Sequence, residues 1–76
     1  MKDITLDQLS IGDTMIVKKI NNKGTIRRRF LDMGLIPGTK VRCIMKSPGG
    51  ELVAYMIKGA LIAIRTDDSK GVVLCG

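Results

Sequence analysis

The run Thr25-Ile26-Arg27-Arg28-Arg29-Phe30-Leu31-Asp32-Met33-Gly34-Leu35-Ile36-Pro37-Gly38 constrains this chain more than any other stretch. Ile26, Phe30 and Met33 recur at the i, i+4, i+7 spacing that puts side chains on one face of a helix, with Leu31 flanking them. Arg27, Arg28 and Arg29 are consecutive, so at about 100° per residue they spread over the other side. Thr25 is placed to cap the start. Gly34 is placed to end the helix in the left-handed conformation. Pro37-Gly38 then reads as a turn into a strand. One segment thus packs a helix on a core, turns three cations outward and sets where the chain re-enters a sheet.

The rest reads as short strands. Leu6, Leu9 and Ile11 precede Gly12-Asp13 and read as a short turn or 3₁₀ segment that tucks the leucines under the domain. Thr14 to Ile20 is the first strand. Its apolar positions Met15 and Val17 alternate, but the next is Ile20, and a spacing of three predicts a bulge. Thr39 to Lys46 alternates more cleanly. Val41, Cys43 and Met45 face one way and Lys40, Arg42 and Lys46 the other, with Ile44 the exception. Ser47-Pro48-Gly49-Gly50 is a turn. Glu51 to Ile57 and Ala60 to Arg65 are apolar on both faces and are joined by Lys58-Gly59, a tight hairpin turn. Thr66 to Lys70 reads as one turn of helix capped by Thr66 or Asp67. Val72 to Cys75 is the last strand.

The expected fold is mainly β: a small five-stranded barrel with a short helix after the first strand and a helical turn before the last. Closure follows from size, because an open sheet of such short strands would leave long unpaired edges. Residues 1–76 are expected to form one domain, its core aliphatic, since the chain has one Phe, one Tyr and no Trp.

Composition excludes several functions. Without His, the commonest general base and metal ligand is missing, along with every nucleophile arrangement that needs it. The acids are scattered, and no phosphate-cradling glycine loop is present. We expect no enzyme, no cofactor and no dedicated metal ligand set. Cys43 and Cys75 form no CxxC pair and read as free thiols. No run reaches the ~20 apolar residues of a membrane span, and residues 1–7 lack the apolar core of a signal peptide. The expected location is the cytoplasm, with no membrane insertion.

The net charge is +6, unevenly spread. Thr14 to Gly50 holds nine Lys or Arg against one acid, Asp32, a balance of +8, while the remaining residues balance at −2. That middle segment faces something acidic: a protein, a nucleic acid or an anionic membrane surface. Binding of single strands also uses exposed aromatic platforms, and only Phe30 and Tyr55 are on offer. A basic small-barrel nucleic-acid-binding protein is therefore the second reading, and no nucleic acid is expected in the first. The double-faced apolar strands at 51–57 and 60–65 mark either a protein interface or a face covered by the helix and the N-terminal leucines. An arginine supplied in trans can stabilise phosphoryl-transfer charge on a GTPase, although arginine runs on exposed helix faces are mostly solvated.

Three blocks together resemble a known family. They are Leu9-x-x-Gly12-x-x-Met15-x-Val17-x-x-Ile20, Arg28-Arg29-Phe30-x-x-Met33-Gly34-Leu35-x-Pro37-Gly38-x-x-Val41, and Gly59-x-x-Ile62-Ala63-Ile64-Arg65. This chain resembles the ferrous iron transport protein A (FeoA) family over essentially its whole length. The resemblance implies an SH3-like barrel and a place in ferrous iron, hence transition metal, transport. It also implies a protein-protein interaction with the membrane transporter FeoB, through that transporter's cytosolic GTP-binding part. The residues we expect at the contact are Arg27, Arg28, Arg29, Met33, Leu35, Lys40 and Arg42. Self-association is left open.

Overall fold

A computed structural model describes residues 2–76. Met1, the first residue of the expected domain, lies outside the described residues. The elements run β1 (Ile4–Thr5), a 3₁₀ turn (Leu6–Gln8), β2 (Thr14–Ile20), α1 (Gly24–Met33), β3 (Lys40–Lys46), β4 (Leu52–Ile57), β5 (Ala60–Arg65), α2 (Thr66–Ser69) and β6 (Val72–Cys75). The strands form one antiparallel sheet in the order β1-β6-β2-β3-β4-β5.

Six strands replace the five expected. The addition is β1, whose Ile4 and Thr5 pair with Leu74 and Val73 of β6. Two residues give no alternation to read, which is why the sequence pattern misses it. In the sheet β5 has β4 as its sole neighbour, so the hydrogen-bonded ring stays open on that side. Helix α1 takes the place of a closing strand. Its Ile26, Phe30 and Met33 share a narrow crevice with Ala63 and Ile64 of β5.

The helix is the amphipathic element its spacing predicts. Phe30 is buried, and Ile26 and Met33 pack half-buried against the core. Burying a side chain such as Phe30 contributes on the order of 2 kcal/mol. Thr25 does not cap: the helix starts one residue earlier, behind Lys23, and has no side-chain cap. Gly34 stops it with φ 99° in the left-handed region, and its N–H donates back to the carbonyls of Leu31 and Phe30, as a glycine terminator should. The Pro37-Gly38 turn closes through the N–H of Thr39 onto the Ile36 carbonyl, 3.1 Å.

Two bulges decide which side chains enter the core. In β2 the register with β6 shifts between Val17 and Lys19, so Val17 and Ile20 are both buried despite standing three apart. This is the irregularity that the spacing predicts. In β3 the register with β4 shifts between Cys43 and Met45. Val41 and Cys43 are fully buried, but Met45 is 58% exposed, contrary to its expected place beside them. A one-residue slip turns every later side chain to the other face, and Ile44 is the extra residue. The N-terminal segment is a 3₁₀ turn that carries the leucines Leu6 and Leu9 into the core, as expected, and leaves Ile11 exposed.

The β4–β5 hairpin has the two-residue turn expected, with Lys58 at φ 49° and Gly59 at φ 81°. Both are the positive angles that such a turn needs to match strand twist. Helix α2 is held differently from its expected cap. Arg65 occupies the N-cap, and the Thr66 hydroxyl instead donates to the Gly50 carbonyl in the β3–β4 connection.

Candidate docking surfaces

The three arginines of α1 do not form one patch. The side chain of Arg27 folds back, donating from Nη1 to the carbonyl of Ile20 at 2.8 Å. It thereby satisfies a carbonyl at the end of β2 and fastens the helix to the sheet. Arg27 and Arg28 both border a shallow depression with Gly24, Leu31 and Asp32 on the outward side of the helix. Arg29 points the other way, into the crevice shared with Met33, Arg65 and Asp68. Arg27 thus fastens the helix while bordering the same surface as Arg28, and Arg29 faces a separate one.

The other expected contact residues divide too. Lys40 and Arg42 are exposed on β3, while Met33 is half-buried against the core. Leu35 is fully buried, so its side chain supports the fold and has no surface to offer. Its position after the Gly34 turn carries it inward, where its N–H reaches the Phe30 carbonyl.

Little of the positive charge is neutralised internally. Among the described residues the ion pairs are Lys18 with Asp3, at 2.7 Å, and Lys70 with Asp67, at 3.6 Å. The Lys18–Asp3 hydrogen bond and charge raise the Lys18 pKa. None of Arg28, Arg29, Lys40, Arg42, Lys46 or Arg65 takes part in either pair, so their field extends into solvent.

Both aromatic residues are inside. Phe30 is 3% and Tyr55 0% exposed, and the sequence holds no other aromatic side chain. Bases would find no stacking platform here. Cys43 and Cys75 are free thiols, and burial raises the Cys43 pKa, which disfavours the reactive thiolate. Among the described residues no three His, Cys, Asp or Glu side chains gather into a metal-holding group. Among the described residues no helix is long and apolar enough to cross a membrane.

The double-faced apolar strands do leave one face uncovered. Helix α1 and the N-terminal leucines cover the inner side of β4 and β5. On the outer side Leu52 is 45%, Met56 37% and Leu61 57% exposed. These residues are absent from the expected contact set. Their signal in the sequence was the apolar pattern on both faces, which did not itself say which face would be covered.

This architecture defines the class: a small, mainly antiparallel β domain of the SH3-like kind. The chain belongs to the FeoA domain family, whose model matches residues 4–74, a family related to Fe2+ transport. The FeoA of Stenotrophomonas maltophilia, a procaryotic SH3 domain protein solved in complex with zinc, superposes with a TM-score of 0.85 at 28% identity. The superposition covers 95% of this chain and 89% of that one. The FeoA protein of Chlorobium tepidum superposes with a TM-score of 0.87 at 27% identity, over 93% of this chain and 68% of that one. A Porphyromonas gingivalis protein, an Fe(2+) transport protein A/Fe(2+) transporter FeoB fusion, is 27% identical over 64 residues, 84% of this chain. The chain spans 8% of the length of that curated relative.

Proposed function

We propose that this chain is a small, non-catalytic cytoplasmic accessory of ferrous iron uptake. It binds the cytosolic GTP-binding part of an FeoB transporter and supports or regulates it. The observation that carries this reading is the fused relative. There, a segment similar to this chain is joined to FeoB in one polypeptide, which keeps the two at high effective concentration. The association itself would rest on the surface of this domain, where the uncompensated cations supply long-range attraction to an acidic partner. In this reading Arg28, Arg29, Lys40 and Arg42 make the polar contact and Met33 borders it. Arg27 and Leu35 hold the helix and the following turn in place beneath.

The test is ferrous iron uptake by cells that carry the transporter, with and without this chain. A severalfold lower initial rate without it is expected. Equal rates at limiting iron would contradict the proposal.

A further inference from the structure

The outer face of β3, β4 and β5 has a shape as well as a polarity. Ala54 of β4 stands directly opposite Ala63 of β5 and, on its other side, opposite Met45 of β3. Along its own strand it lies between Leu52 and Met56. A small side chain ringed by larger ones makes a recess. Met45, Lys46, Ser47, Pro48 and Leu52 wall a hollow of about 290 Å³ over the two alanines. Lys46 also borders the hollow, but it stands opposite buried Val53, so its side chain turns to the other face. At its margins Arg42 stands opposite Met56, and Arg65 stands opposite Leu52. Glu51 and Asp67 collect beyond Arg65, at one end of the face.

We infer that this face docks an acidic amphipathic helix of a protein partner, an apolar side chain seated over Ala54 and Ala63 and flanking carboxylates meeting Arg42 and Arg65. The dimensions match. Leu52 to Met56 spans roughly 13 Å at strand rise, and an apolar stripe over positions i to i+7 of a helix spans roughly 10.5 Å. Addition of a strand is the poorer fit, because the unpaired edge of β5 faces α1 across a crevice of about 60 Å³, too little for another backbone. A second copy of the chain would set the same two cations against each other. A lipid surface favours protruding apolar side chains over a recess. The inference goes beyond the proposed α1-centred contact by adding a second face and a segment chemistry, and it rests on the FeoB reading only for the identity of the partner.

A synthetic peptide helix of about 14 residues, with Leu at i, i+4 and i+7 and Glu on both flanks, tests it without the transporter. It is titrated into the full isotope-labelled chain and followed by amide chemical shifts. Shifts centred on Met45, Ala54, Leu61 and Ala63 are expected. Affinity should fall about tenfold or more, roughly 1.4 kcal/mol, for Met45→Glu and for a peptide with Lys flanks, and stay unchanged for Lys23→Ala, an exposed cation away from this face. Leu61→Ser provides a milder change on the same face and should also weaken binding if Met45→Glu perturbs folding. The inference is overturned by absence of binding, by shifts centred on α1, or by equal affinity for the Lys-flanked peptide. Self-association through this face, or uptake on phosphatidylserine vesicles with the same residue dependence, would overturn it too. Because the peptide arm contains no transporter, its failure leaves the FeoB reading to its own test.

Discussion

The Tyr55 hydroxyl donates a 3.1 Å hydrogen bond to the carbonyl of Leu6, joining the middle of β4 to the N-terminal turn 49 positions away. Both residues are completely buried. Tyr55→Phe keeps the ring and leaves that carbonyl without its partner, at an expected cost of about 1–2 kcal/mol. Urea unfolding should show a lower midpoint with an unchanged slope.

The same phenol makes stability depend on alkaline pH. Burial pushes the Tyr55 pKa from 10.0 up to about 12, so between those values the folded state holds a proton that the unfolded state has released. Its stabilising contribution is complete below pH 10 and is lost as pH rises toward 12. Unfolding midpoints measured across this window should decline for the natural chain and stay flatter for Tyr55→Phe.

Gly71 and Asn22 are locked together. A Cβ on Gly71 would come within 2.4 Å of the Asn22 side-chain oxygen, and the Asn22 amide donates to the Asp68 carbonyl at 2.9 Å. Gly71→Ala must displace that amide, with an expected loss of about 1–3 kcal/mol. Since the clash is with Asn22, adding Asn22→Ala should cost less in the Gly71→Ala background than alone. Strict additivity of the two changes in a double-mutant cycle would contradict this geometry.

How far the sequence disclosed these relationships depends on their range. Local patterns were legible: the helix face of Ile26, Phe30 and Met33, its stop at Gly34, the Lys58-Gly59 turn and the bulge in β2 all follow from spacing or from backbone preference. Choices made by distant partners were not. The bulge at Ile44, which turns Met45 outward, depends on the register between β3 and β4. The inward course of Leu35 and the hydrogen bond of Arg27 to Ile20 depend on where the helix lands, and three consecutive arginines read alike until it does. The uncovered outer face was visible only as an apolar pattern on both sides of two strands. Which side α1 and the N-terminal turn would cover was decided by tertiary packing.

The division among the arginines gives a stability contrast. Arg27→Ala removes the hydrogen bond to Ile20 and should cost about 1 kcal/mol. Arg28→Ala on the exposed side should stay within about 0.5 kcal/mol of the parent. Parallel thermal unfolding of the two variants checks this, and equal destabilisation would place both arginines in the same role.

The central claim is that this chain docks on the cytosolic part of FeoB through a cationic exterior. Calorimetric titration of the folded chain with the isolated GTP-binding part, at about 50 mM and about 300 mM salt, tests it most directly. Saturable one-to-one binding is predicted, with a Kd on the order of 1–10 µM at low salt. Binding should weaken clearly at high salt and when Arg28 and Arg29 are both replaced by Ala. Absence of binding at about 100 µM, with both proteins shown to be folded, would contradict it.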